Sequence, residues 1–320
     1  MHAEVICGKL FRTEILIASI VTMQAGQRGG SLMATLSPTV RHRRLVQELR
    51  RLRQDAGLAQ TEVAKAMDWS SSKQLKIENG TNPIKVPDVR GMLDLYGVTG
   101  PDRHEEREIL LQLARDARKQ GWWHPYGGVI PKWFEVFVGL ETEASAIRTY
   151  QPELVHGLLQ TPEYHRALRQ ESLITISDEE IERMIEVRKT RQERLHGSDT
   201  PDYWTIMNEA VLRRVVGTPE VMRAQLEHLH DMAELPSVTI QVLPFAAGTH
   251  PAMDGPFEIL GFPESADLDV VYLESKATSL YLEETDQVGL YSKVFNVLRA
   301  RALAPRESSA MIAQAAREIS

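Results

Sequence analysis

The stretch LAQTEVAKAMDWSSSKQLKIENG, residues 58–80, constrains the fold more than any other part of this 320-residue chain. Leu58, Val63, Ala64 and Met67 fall on one face of a short helix opened by Gln60 and Thr61. Asp68, Trp69 and Ser70 leave room only for a tight turn. Ser70 is a good N-cap for a further helix beginning at Ser71, and Gly80 ends that helix as its C′ residue.

Two short helices joined by so brief a turn form a helix-turn-helix, whose second helix enters the major groove of DNA with its N-terminal side chains facing base edges. Ser71, Ser72, Lys73 and Lys76 lie along the side of that helix that must offer hydrogen bonds outward, while Ile77 anchors the other side and Asn79 ends the helix near the DNA backbone. The polar N-terminal end of the preceding helix, at Gln60, is free to meet a phosphate. Trp69 is expected to pack in the turn rather than to stack on bases. Upstream, Val40, Leu45, Leu49 and Leu52 recur at helical spacing up to Gly57. The arginines of RHRRLVQELRRLR, residues 41–53, are expected to be mostly solvated charge, with Arg43 or Arg44 near a phosphate. Downstream, Val89, Met92, Leu93 and Tyr96 face inward from a fourth helix. Ile109, Leu110 and Leu113 of a fifth either close the bundle or form a dimer contact.

The segment LRRLRQDAGLAQTEVAKAMDWSSSKQLKIENG resembles the helix-turn-helix of the Cro/repressor class, the XRE family, as far as about Val98. Gly57, Gln60, Ala64 and the Ile77-Glu78-Asn79-Gly80 run match the family pattern in order and spacing. The resemblance implies that Gln60 holds a DNA phosphate, that Ser71, Ser72, Lys73 and Lys76 approach bases, and that Asn79 returns to the backbone. The sequence departs from the family at Gln74, where an aliphatic residue is usual. Either Leu75 takes over the packing through a small rotation, or Gln74 itself faces DNA.

The net charge of −7 argues, for the whole chain, against a nucleic-acid binder, but it conceals an asymmetry. Residues 34–120 carry 16 Lys and Arg against 12 Asp and Glu, whereas residues 121–320 carry 18 against 30. A basic module is followed by a larger acidic one. The single Cys7 forms no internal disulfide, so a reducing cytoplasm is expected, without a zinc cluster or other metal or cofactor. The apolar run LFRTEILIASIVTM is interrupted by Arg12, Thr13 and Glu14 and falls short of a membrane span. Residues 1–33 are expected to be an extension upstream of an initiator at Met33, or a disordered tail.

Beyond residue 121 the texture changes. The aromatic stretch GWWHPYGG leads into a helix from Lys132, then a strand in ASAIRTYQ, a helix capped at Thr161-Pro162, a long helix capped by Ser177, a strand in DYWTIMN and an amphipathic helix from Pro219. From 236 the period becomes two: VTIQVLPF, FEILGF, DVVYLE and SLYLEE read as four short strands of an antiparallel sheet, followed by the helix DQVGLYSKVFNVLRARAL. The expected fold class is α followed by α+β, a five-helix bundle and then a domain whose helices cover a mainly antiparallel sheet. The expected boundaries are 1–33, 34–120, 121–303 and a C-terminal tail at 304–320 that trails off as frayed helix.

The segments WWHPYG, PKWFEVFVGLE, ASAIRTYQPELVHGLLQTPEYHRAL, MNEAVLRR, VTIQVLPFAAGTHPAMDGPFEILGFP and VVYLE resemble the uncharacterised domain that follows such helix-turn-helix modules in actinobacterial, antitoxin-like regulators. That resemblance implies a transcription regulator acting with a small acidic protein encoded nearby. The HPAMDGPF loop, with His250 and Asp254, is a candidate binding edge, and Trp123 and Tyr126 either line a ligand pocket together with Trp122 or pack between domains. His250 and Asp254 with Ser265, Asp267 and Asp269 suggest a hydrolytic set, yet no nucleophile-elbow, zinc-protease, P-loop or dinucleotide motif is present. The expectation is therefore a non-enzymatic, cytoplasmic, homodimeric regulator of a double-stranded DNA operator that has no membrane partner. The alternative is an interaction module or enzyme whose helix-turn-helix has become a docking element.

Overall fold

A computed structural model describes residues 38–173, 175–197, 199–262, 269–275 and 278–319. The expectations for residues 1–33, and for Ser265 and Asp267, lie outside these. The chain divides into two units, one ending at Trp122 and the other beginning at Trp123.

The first unit is helical: α1 Pro38–Asp55, α2 Gln60–Ala66, α3 Ser71–Glu78, α4 Val86–Leu95 and α5 His104–Asp116, the last preceded by a 3₁₀ turn at Pro101–Arg103. Its core joins Leu45, Leu49 and Leu52 of α1 to Val63, Ile77, Val89, Met92, Leu93, Leu110 and Leu113. Burying each such side chain stabilises by about 1.5–3 kcal/mol. Leu110 and Leu113 belong to that core and Ile109 beside them is buried, so the stripe on α5 closes the bundle. The arginines of α1 are not mainly solvated. Arg41 and Arg44 are buried, Arg51 pairs with Glu48, Asp55 and Glu106, and Arg53 is drawn to Glu78.

The second unit contains α6 Lys132–Glu143, β1 Ala146–Gln151, α7 Pro162–Gln170, α8 Asp178–Gln192, β2 Asp202–Asn208, α9 Ala210–Arg213, α10 Pro219–Met232, β3 Val238–Leu243, β4 Phe257–Gly261, β5 Val270–Glu274, β6 Ser279–Leu282, α11 Thr285–Arg301 and α12 Pro305–Glu318. One six-stranded sheet has the order β3-β2-β1-β4-β5-β6. It is mixed, which corrects the expected mainly antiparallel arrangement: β1, β2 and β3 run parallel, and only β4, β5 and β6 enter antiparallel. The reason lies in the connections. Helices α7 and α8 separate β1 from β2, and α9 and α10 separate β2 from β3, and crossovers of that length return a strand parallel to its predecessor.

On one face of the sheet Tyr150, Ile206, Phe257, Ile259 and Val271 pack against Phe295 and Leu298 of α11. The tail expected as frayed helix is a packed one, α12, with Ser308, Ile312, Ala315 and Ala316 buried. Its entry protects an edge of the sheet. The Leu303 amide donates to the Val242 carbonyl at 2.9 Å, and the Ser308 hydroxyl accepts from the Val242 amide at 2.9 Å, so β3 does not present bare backbone groups there.

Candidate nucleic-acid interface

Helices α2 and α3 meet through a turn in which Asp68 adopts a left-handed conformation (φ 53°) and the Trp69 amide donates to the Ala64 carbonyl at 2.8 Å. Asp is among the few residues that tolerate that conformation. Ser70 caps α3 by accepting from the Lys73 amide at 3.1 Å, as its sequence position predicts. Gly80 stops the helix at φ 69°, and the Thr81 amide and hydroxyl and the Asn82 amide all donate to the Lys76 carbonyl.

The inward face of α3 is Gln74, Ile77 and Glu78, all buried. Gln74 is fully enclosed while Leu75 is 47% exposed, so neither sequence alternative holds. Gln74 occupies the aliphatic position itself, and its amide nitrogen is met by Glu78, whose Oε1 accepts from Gln74 Nε2 at 2.7 Å. The same carboxylate accepts from Arg53 Nε at 2.6 Å and Nη2 at 3.1 Å and from Gln60 Nε2 at 2.8 Å. Helices α1, α2 and α3 thus converge on one buried anion. Burial, followed by the Glu78 charge, pushes the Tyr96 hydroxyl well above its ordinary pKa.

Of the residues expected to meet DNA, Ser71, Ser72, Lys76 and Asn79 are exposed along α3 and its C-cap. Lys73 is on the same helix but half-held: its Nζ lies 3.8 Å from the centre of the Trp69 ring and 3.7 Å from Asp88 Oδ2. Trp69 packs against the core, as expected. Gln60 is half-buried and bound to Glu78, so in this arrangement its amide nitrogen supports α3. Two residues stand differently from the sequence reading. Leu75 stands among the outward polar groups, and Glu78 looks like a surface charge until the inward spacing of Gln74, Ile77 and Glu78 is drawn on a helix.

The candidates of the second unit are held by different elements. Trp123 is buried, and the turn containing Tyr126 is tied to α8 by Arg183, which donates to the Pro125 carbonyl at 3.2 Å. His250 Nε2 lies 3.3 Å from the Tyr150 hydroxyl at the end of β1, and its Nδ1 accepts from the Ala252 amide. Burial, and then the Arg301 charge, holds the His250 imidazole below its ordinary pKa. Asp254 is exposed on the following turn.

Glu141, His156 and Glu258 bring potential metal-ligand atoms within 4.8 Å of one another. Glu141 already receives Arg191 through two bonds of 2.7 and 2.6 Å, and His156 lies between Glu258 at 3.1 Å and the Tyr203 hydroxyl at 2.8 Å. Burial alone would raise the Glu141 pKa, but the Arg191 charge and hydrogen bonds outweigh it and hold the carboxyl below its ordinary value. A cation would have to displace a guanidinium from that carboxylate, so the arrangement is better suited to an internal ion pair.

Among the described residues no helix is long and apolar enough to cross a membrane. The chain matches no curated protein and no solved structure. A helix-turn-helix domain family model matches residues 44–105, covering the elements that present α3. The second unit is matched over residues 134–314 by the model of a domain of unknown function, DUF5753, which reaches into α12. With its larger unit matched over more than half of the chain and a helix-turn-helix domain ahead of it, the protein belongs to the DUF5753 family of helix-turn-helix proteins.

Proposed function

We propose that the protein is a cytoplasmic, homodimeric, non-enzymatic transcription regulator that binds an operator through α3 and whose second unit takes a small partner protein or ligand. The observation that carries the DNA half is the fixed presentation of α3. Its inner face is locked by Glu78, and Ser71, Ser72, Lys76 and Asn79 stand outward from it. Serine and lysine at the start of such a helix suit hydrogen bonds to base edges and phosphates, and the exposed Leu75 suits a thymine methyl. Lys73 joins them by leaving Asp88, a half-exposed ion pair of small worth. Gln60 reaches phosphate by exchanging its bond to Glu78. A two-fold dimer would present two such helices to half-sites about one DNA turn apart.

The test is selection from fragmented genomic DNA by the purified full-length protein at physiological salt. A few strongly enriched sites with two-fold symmetry are the expected result. Background recovery alone would favour the docking-module alternative, in which the helix-turn-helix no longer reads DNA.

A further inference from the structure

The second unit buries more guanidinium charge than it neutralises, and the excess is gathered at one place. Arg191 on α8 is spent on Glu141. The side chains of Arg188, one turn earlier, and of Arg169 near the end of α7 make no hydrogen bond or ion pair among the described residues, and the Nε atom of each is buried without a partner. Both residues are intermediate in exposure. On α7, one turn before Arg169, His165 is 1% exposed, and neither of its ring nitrogens has a partner among the described residues.

Gly157 marks where Arg188 and Arg191 converge. A Cβ at that position would lie 2.6 Å from Arg188 Nη1 and 3.5 and 3.6 Å from the two terminal nitrogens of Arg191. The absence of a side chain there leaves room for two guanidinium heads to approach one point. Glu274 acts on Arg169 and Arg188 from a distance, but it takes the Tyr272 hydroxyl at 3.0 Å rather than either guanidinium. Burial, and then the charges of Arg191 and Arg169, pushes Arg188 down to about 9, leaving it protonated at neutral pH. Burial and the surrounding arginines push His165 down to about 2, so it is a neutral imidazole with one N–H to give.

Unpaired buried cations are costly, and each guanidinium offers five donors in a fork suited to oxyanions. We infer that Arg169, Arg188 and His165, beside Gly157, form a binding site for a phosphate group, either free phosphate or the phosphate of a small metabolite. Two forks and an imidazole N–H supply more donors than the two oxygens of a carboxylate can accept, and a dianionic phosphate answers two positive charges. This deepens the ligand half of the proposed function and rests on that reading for its regulatory meaning alone. The binding itself is measured without DNA, so the failure of one is distinguishable from the failure of the other.

The experiment is calorimetric titration and thermal unfolding of the full-length protein with inorganic phosphate, against chloride and acetate at matched ionic strength. The expected result is saturable binding and stabilisation by phosphate that chloride and acetate do not give. In Arg188→Met the affinity falls at least tenfold while the phosphate-free protein unfolds at the same or a higher temperature, because an uncompensated charge has gone. A purely structural arginine would give a lower unfolding temperature instead. Gly157→Ala is the second variant: its Cβ clashes only with the flexible end of Arg188 and makes ordinary contact with Arg191, so it folds, displaces the Arg188 head and weakens phosphate binding. Titration with ribose 5-phosphate separates the two sources, tighter binding than inorganic phosphate assigning a phosphomonoester and equal or weaker binding assigning the free ion. Phosphate no better than chloride, acetate binding in its place, or unchanged phosphate affinity in both variants would overturn the site.

Discussion

Each unit of the molecule buries a charged network, and the two are balanced in opposite ways. In the first, one carboxylate, Glu78, collects four hydrogen bonds from Arg53, Gln60 and Gln74, so donors drawn from three helices close on a single acceptor. In the second, Arg191 satisfies Glu141 while Arg169 and Arg188 have no acceptor within hydrogen-bonding distance among the described residues. A closed network fixes geometry, as a helix that must present side chains to a rigid duplex requires. An open one stores unmet donor capacity at positive potential, which is what a site for an anion requires.

Removing the acceptor from the closed network should produce the largest effect. Glu78→Ala leaves Arg53 without its carboxylate and two amides without an acceptor, and is expected to destabilise the first unit by about 3–5 kcal/mol in urea unfolding. A loss under about 1 kcal/mol would show that the network is not what fixes α3.

Removing a donor from the open network should cost less. Arg191→Met is expected to lose about 2 kcal/mol, below the usual about 3–5 for a broken buried pair, because Arg188 lies within electrostatic reach of Glu141 and can turn to it. If Arg191→Met and Glu78→Ala prove equally damaging by the same urea titration, the contrast between the networks disappears.

The pH dependence sharpens the comparison further. The folded pKa of His165 is about 2 against an ordinary 6.5, so the unfolded chain binds the extra proton between those values. Its contribution to stability is fully present above pH 6.5 and is lost as the pH falls toward 2. At about 1.36 kcal/mol per pH unit, the second unit should lose close to 2 kcal/mol between pH 6.5 and 5, and His165→Phe should flatten that slope. An unchanged slope in the variant would remove His165 from the account.

The smallest expected effect is at Lys73. Because its pair with Asp88 is half-exposed, Lys73→Ala should change stability by about 1 kcal/mol or less, while weakening operator binding by about 1–3 kcal/mol if the side chain meets a base. Thermal unfolding and a DNA titration on the same sample separate the two, and a stability loss with unchanged DNA affinity would confine Lys73 to its place beside Trp69.

What the sequence disclosed follows from the range of the interactions involved. The ends of α3 were legible because Ser70 and Gly80 act on their immediate neighbours, and α1 was legible because Val40, Leu45, Leu49 and Leu52 share a face. The direction of β1, β2 and β3 was harder to read, since alternating burial identifies a strand but not its partner. The helices between 146 and 208 were nonetheless a signal for a parallel crossover. The packing of α12, read as a frayed helix, was missed because its buried stripe, Ser308, Ile312, Ala315 and Ala316, is made mostly of small residues with little apolar weight. The arginine cluster had no sequence signature: Arg169 and Arg188 come from different helices, and Gly157 from a turn before both.

The central claim, that α3 reads DNA sequence, is tested most directly by fluorescence anisotropy of the full-length protein on a selected duplex and on its scrambled counterpart across a salt series, with Ser72→Ala and Lys76→Ala alongside. The account predicts a preference of about 10³ or more for the selected duplex, a marked loss of that preference in Ser72→Ala, and weaker binding with a salt slope shallower by about one in Lys76→Ala. Equal affinity for both duplexes, or variants indistinguishable from the parent on the selected one, would contradict it.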